Sequence, residues 1–170
     1  MANLITYSRM IFLIPIAIYL KIGNYNVALA LFIVAAFTDW LDGFVARKTG
    51  NVTETGKVMD QIADKVLITG TLAFMIETGD VPAWLVATIV WRDFIVSGTR
   101  ILAAKTGKVI AANIFGKIKT VSQMALIIFL LSKDLFTSIY VKEILIWTVF
   151  LATIFSGTIY LMQNRKVFTI

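Results

Sequence analysis

Histidine and cysteine are both absent from this sequence, which removes two of the side chains most used for chemistry near neutral pH. Without imidazole there is no histidine base or ligand, and without thiols there are no disulfides, thiolate metal sites or thiol nucleophiles. Charge is scarce too: 15% of the residues are charged, against about 25% in an ordinary soluble domain. Metal or acid–base chemistry in this chain therefore falls to Asp, Glu, Lys or Tyr. The first apolar segment has no charged stretch before it and no A-x-A-like site after it, so it reads as retained rather than cleaved.

What the chain has in quantity is hydrocarbon. Of its 170 residues 59% are hydrophobic, and the mean hydropathy is +0.85. At about 20 residues per span this length supplies five to seven membrane crossings with short loops. Apolar runs fall at 8–22, 27–45, 58–76, 83–103, 121–131 with flanks, and 144–162. Between them stand Gly23-Asn24, Lys48-Thr49-Gly50-Asn51, Thr78-Gly79-Asp80 before Pro82, Lys105-Thr106-Gly107-Lys108 and Ser132-Lys133-Asp134, the punctuation expected of turns. The sequence thus predicts an all-α integral membrane protein, a six-helix transmembrane bundle formed as one domain over residues 1–170.

The net charge of +6 follows this layout and not a nucleic-acid patch, because aromatics and basic residues do not interleave on any polar segment. With the N-terminus inside, Arg9, Arg47, Lys48, Lys57, Lys65, Arg100, Lys105, Lys108, Lys117, Lys119, Arg165 and Lys166 all lie on the cytoplasmic side. Lys21, Lys133 and Lys142 are left for the other. That asymmetry predicts cytoplasmic termini in a cell membrane.

Within this oily chain the stretch DWLDGFVARKTGNVTETGKVMDQIADK carries Asp39, Asp42, Asp60 and Asp64. Asp39 and Asp42 are three apart near the end of the second span, and Asp60 and Asp64 four apart near the start of the third, so on helices each pair shares a face. A short loop makes the two spans a hairpin and brings both pairs to one depth. Four carboxylates at the edge of hydrocarbon need compensating charge. Oxygen-only ligation favours a hard divalent ion, Mg²⁺ with Mn²⁺ or Ca²⁺ as substitutes. Gly43, Ala46 and Gly56 on the same faces permit close approach of a ligand or a neighbouring helix. Two other readings compete: interfacial salt bridges to Arg47, Lys57 and Lys65, and a proton or cation pathway. The second lacks both a chain of acids deeper in the bundle and an evident inverted repeat.

Written as a pattern, D-x2-D-G-x2-A-R-x8-G-x3-D-x3-D from Asp39 to Asp64 resembles the signature of the CDP-alcohol phosphotransferase family at every fixed position. The resemblance implies a six-helix membrane enzyme that transfers a phosphatidyl group from a CDP-linked lipid to an alcohol and releases CMP. It implies metal binding by Asp39, Asp42 and Asp60, with Asp64 completing the site and acting as general base, and two divalent ions, and it raises the expectation of a homodimer. By the same resemblance Gly43, Arg47 and Thr53 contact the CDP-lipid, Ala46 and Gly56 line its site, and Asn3 lies in N-L-I-T-x-x-R on the nucleotide side. There Ala2 departs from the family's common proline.

The acceptor is read from Trp91 to Met124. Arg92 and Asp93 fall inside the fourth span, where charge is functional or paired, Arg100 follows two turns later, and Lys117 and Lys119 open the fifth span. Arg92, Arg100, Lys117 and Lys119 are the expected ligands of a phosphate on the acceptor, Arg as a fork and Lys as a point charge. The segments R-D-F-x-V-S-G-x-R and V-I-A-A-N-x-x-G-K-I-K-T-x-x-Q look like the phosphatidylglycerophosphate synthase branch, which implies glycerol 3-phosphate as acceptor. Relatives taking inositol phosphate also use basic residues, and serine fits less well. Trp84, Trp91, Trp147 and Tyr160 read as interfacial or packing aromatics.

Overall fold

The computed structural model describes residues 2–49, 54–105, 114–133 and 138–165, with side chains described for 11–38, 65–103, 114–133 and 138–165. Among the described residues there are six helices and no strand: α1 (Ala2–Ile22), α2 (Tyr25–Thr49), α3 (Glu54–Glu77), α4 (Ala83–Lys105), α5 (Ile114–Leu131) and α6 (Ile139–Gln163). The helices overrun the apolar stretches: α1 starts at Ala2 and not near Ser8, and α5 at Ile114 and not near Val121. Polar end residues continue a helix without difficulty, since helix formation is limited by nucleation and not by each added turn. Gly23 and Gly79, with φ of 81° and 73°, close α1 and α3 in the left-handed conformation that glycine adopts most readily.

Two of the helices, α5 and α6, are long and apolar enough to cross a membrane by length and composition, and shorter apolar helical stretches occupy Ile11–Ile22 and Tyr25–Thr38. On α1 the large residues Ile11, Ile14, Ile18 and Ile22 are exposed while Ile16 and Leu20 are buried. An apolar outer stripe of this length suits a hydrocarbon surround. Buried hydroxyls are satisfied locally: Thr71, Thr99 and Thr153 each donate to the carbonyl four residues back, at 2.8, 2.8 and 2.7 Å, so they leave no open donor in the apolar interior.

The chain divides into two compact units, Met1–Asp80 with Ile127–Thr137, and Val81–Leu126 with Ser138–Ile170. In the first, α1 packs against both α2 and α3 over a core that includes Ile16, Leu20, Phe32, Leu72 and Met75. Gly70 lets α1 approach α3: a Cβ there would lie 2.5 Å from Leu13 Cδ2. One end of this unit is tied by a polar cluster. Asp80 Oδ2 accepts from Thr78 Oγ1 at 2.6 Å and from the Tyr25 hydroxyl at 3.3 Å, and Lys133 Nζ lies 3.5 Å from the same oxygen and 3.4 Å from the centroid of the Tyr25 ring.

In the second unit α4 packs against α6, with Leu85, Ile89, Val96, Ile146 and Val149 buried. Trp84 meets Trp147 and Phe150 at centroid distances of 5.7 and 5.3 Å. Further along, Arg92 meets Gly157 and Arg100 meets Tyr160. Contacts advance together on both helices, so α4 and α6 run parallel, as helices separated by one intervening helix do in an up-and-down arrangement.

Candidate active site

Asp39 and Asp42 stand in the C-terminal half of α2, and Asp60 and Asp64 in the N-terminal half of α3. Their helical backbone is described, but their side chains lie outside the described residues, as do those of Asn3, Gly43, Ala46, Arg47 and Gly56; Thr53 lies outside entirely. The backbone sets their height. The tie between Tyr25 and Asp80 brings the start of α2 level with the end of α3, so the two helices run antiparallel. Counted from that tie, Asp39 and Asp42 lie 14 and 17 residues along α2, and Asp64 and Asp60 lie 16 and 20 residues back along α3. At about 1.5 Å per residue these are roughly 21–26 Å and 24–30 Å, and both pairs occupy one level. Four carboxylates there, in a chain without His or Cys, suit a hard divalent ion. Among the described residues no group of three His, Cys, Asp or Glu side chains comes together.

In the second unit a polar layer interrupts the apolar packing. Lys119 on α5, 4% exposed, donates from Nζ to both carboxylate oxygens of Asp93, at 2.9 and 2.8 Å. Arg92 donates from Nη1 to Asp93 Oδ1 at 3.1 Å. Adjacent positions on one helix do not face each other, so Arg92 reaches Asp93 with one nitrogen only, and its buried Nε has no partner among the described residues. Gly157 on α6 makes room for the stem of Arg92: a Cβ there would lie 3.0 Å from Cγ, whereas one at 116 would lie 3.8 Å from Nη2, an ordinary contact. A cavity of about 60 Å³ opens beside it, lined in part by Arg92, Thr153 and Gly157. One turn on from Lys119, the Nε2 of buried Gln123 also has no partner among the described residues.

Arg100 donates from Nε to the Tyr160 hydroxyl at 3.3 Å, with its guanidinium carbon 5.7 Å from the ring centroid. Arg92 and Arg100 leave α4 roughly 12 Å apart along the axis, yet they meet α6 at Gly157 and Tyr160, one turn apart. The structure therefore brings Arg92 and Lys119 onto one carboxylate and draws Arg100 towards them. It does not bring Lys117 to this group. Lys117 is exposed, and a position two residues from Lys119 points to another side of α5.

Sequence reasoning read Arg92 and Asp93 as functional or paired charges inside the fourth span but did not connect Asp93 to Lys119. It read Tyr160 as an interfacial or packing aromatic; the residue is buried, 2% exposed, and its hydroxyl in addition accepts a hydrogen bond from Arg100. The spacing of Gly157 and Tyr160, a small residue one turn before a hydroxyl, was the available signal.

Comparison with known proteins identifies the family. The family model for CDP-alcohol phosphatidyltransferase matches residues 1–155. The chain is 38% identical over 154 residues to the CDP-diacylglycerol–glycerol-3-phosphate 3-phosphatidyltransferase of Bacillus subtilis (strain 168), covering 85% of this chain and 80% of that protein. It is 36% identical over 173 residues to the protein of the same name from Shigella flexneri serotype 5b, covering 96% and 93%. With that from Rickettsia felis the identity is 34% over 174 residues, covering 98% and 96%. A match of this extent, on a helical chain whose paired aspartates share one level, places the chain in the CDP-alcohol phosphatidyltransferase family.

Proposed function

We propose that this chain transfers the phosphatidyl group of CDP-diacylglycerol to glycerol 3-phosphate, giving phosphatidylglycerophosphate and CMP, as a six-span enzyme of the cell membrane with its termini and active site on the cytoplasmic side. The observation that carries this reading is the alignment of Asp39 and Asp42 on α2 with Asp60 and Asp64 on α3 at one level. The acceptor is supported by the buried cations of the second unit, Arg92 and Lys119, with Arg100 nearby, and by the shared name of the relatives at 34–38% identity.

Asp39, Asp42, Asp60 and Asp64 would hold the divalent ions, Mg²⁺ or Mn²⁺ and two in number, whose charge offsets that of the pyrophosphate and of departing CMP. Asn3, Gly43, Ala46, Arg47, Thr53 and Gly56 bind the CDP-lipid, the small residues permitting close approach to the helix backbone. Asp64 takes the proton of the acceptor hydroxyl as its oxygen bonds to the phosphorus that bears the diacylglycerol. The bond from that phosphorus to the CMP oxygen breaks, and CMP leaves with the electron pair. Arg92, Arg100 and Lys119 hold the acceptor's own phosphate, and Lys117 acts outside that group, on the approach to it.

The test is CMP release by purified full-length protein given CDP-diacylglycerol and Mg²⁺, with glycerol 3-phosphate, inositol phosphate, inositol, serine or no acceptor, each with and without a chelator. Turnover with glycerol 3-phosphate that the chelator abolishes is expected. Turnover with inositol phosphate alone would replace the acceptor, and turnover with serine or inositol alone would also remove the phosphate-binding role of the cations. Silence with every acceptor would leave the aspartates to ion transport or helix pairing.

A further inference from the structure

The polar layer of the second unit contains a buried anion that binding an acceptor phosphate does not by itself require. Asp93 is 8% exposed, and all of its described partners are cationic: Lys119 at 2.8 and 2.9 Å and Arg92 at 3.1 Å. An acid beside a phosphate site repels the phosphate, so its presence needs a physical reason. Two properties of the layer supply one. Lys119, 4% exposed, is stable as a cation only with a counter-charge beside it. And both Lys and Arg lose much rotamer freedom when they are fixed, a loss that a ligand must otherwise make good when it binds.

We propose that Asp93 is the positioning residue of the acceptor site: it holds Lys119 and Arg92 side by side on one carboxylate before the acceptor arrives, so that a single phosphate meets two cations already in place. The inference rests on the acceptor reading given above. Three observations fit it. Two cations meet on one carboxylate. Arg92 retains a buried Nε with no partner among the described residues, which is unusual in an ion pair that serves packing alone. Its stem also lies close against Gly157, where a Cβ would come within 3.0 Å of Cγ. Asp93 itself touches neither substrate. It acts through the two cations.

The decisive variant is Asp93→Glu, which keeps the negative charge and so the counter-ion for Lys119, but moves the carboxylate by one methylene. In full-length protein assayed with both substrates varied, the KM for glycerol 3-phosphate is expected to rise about tenfold, as for disturbance of one charge-assisted hydrogen bond. The KM for CDP-diacylglycerol should change less than about twofold, and the melting temperature should stay near that of the unaltered protein. Inhibition by inorganic phosphate, competitive with the acceptor, should weaken in parallel. Asp93→Asn, which also removes the counter-charge, should raise the acceptor KM further, and adding Lys119→Gln to it should add little. An acceptor KM in Asp93→Glu within twofold of the unaltered enzyme, a fall in that KM on loss of the charge, or equal movement of both KM values would overturn the assignment and leave Asp93 as a counter-ion for folding only. Should the unaltered enzyme use inositol phosphate instead, the same comparison is made with that acceptor; if it uses only an acceptor without phosphate, both this inference and the acceptor reading fall.

Discussion

The Tyr160 hydroxyl accepts from a guanidinium that also sits over its ring, so this residue helps to set where Arg100 points. Tyr160→Phe keeps the ring and removes the acceptor. The KM for glycerol 3-phosphate is expected to rise about three- to tenfold with kcat nearly unchanged, the loss appropriate to one partly solvated charge-assisted bond; steady-state assays with CDP-diacylglycerol saturating read this directly. In the proposed mechanism Asp64 serves the other half of the chemistry. Asp64→Asn cannot accept a proton, and kcat should fall by about 10²–10⁴ while equilibrium binding of the CDP-lipid remains. Both aspartate pairs were legible in the sequence, since a spacing of three or four on a helix is a local property. The role of Tyr160 was not, because its partner lies 60 residues away.

At the level of the helices, close approach is set by glycine. Gly70→Ala would place a methyl 2.5 Å from Leu13 Cδ2 and 3.0 Å from Cδ1, forcing the head of that leucine to shift and α1 to move off α3. A loss of about 1–3 kcal/mol is expected, read as a lower melting temperature in detergent or lipid. Adding Leu13→Ala should recover part of it, which a general effect of alanine on helix stability would not allow. The tie at the opposite end of α2 and α3 from the aspartates behaves differently. Asp80→Ala leaves the Tyr25 hydroxyl without this acceptor and Thr78 with the Met75 carbonyl at 3.1 Å, at a cost of about 1 kcal/mol given the partial exposure of Lys133. Because the tie stands roughly 20–30 Å along the helices from Asp39, Asp42, Asp60 and Asp64, melting should shift while kcat and both KM values hold. Helix existence and number were readable from apolar runs and turn residues. The ends were not, since polar residues extend a helix past its apolar run.

For the whole molecule, the placement of charge carries the prediction. Lys21, Lys133 and Lys142 are the cations assigned to the outer side, and most of the others, Arg165 among them, to the cytoplasmic side, as the positive-inside tendency requires. The absence of native cysteine makes this easy to read. A membrane-impermeant maleimide applied to intact cells should label Lys21→Cys and not Arg165→Cys, and Arg165→Cys should become reactive once the membrane is opened. The reverse pattern would invert the topology and put the aspartates on the outer face.

By itself the sequence determined which chemistry this protein has available. The lack of His and Cys, the two in-face aspartate pairs and the succession of apolar runs depend only on residue type and short spacing, and a helix converts short spacing into geometry without help from the rest of the chain. The partners of Arg100 and Lys119, and the place of Arg92 against Gly157, were decided by the tertiary structure alone. Helices that are apolar on nearly every side carry no periodic signal for which side turns inward, so the meeting of Asp93 with Lys119, and of two arginines with Gly157 and Tyr160, exists only once α4, α5 and α6 have packed.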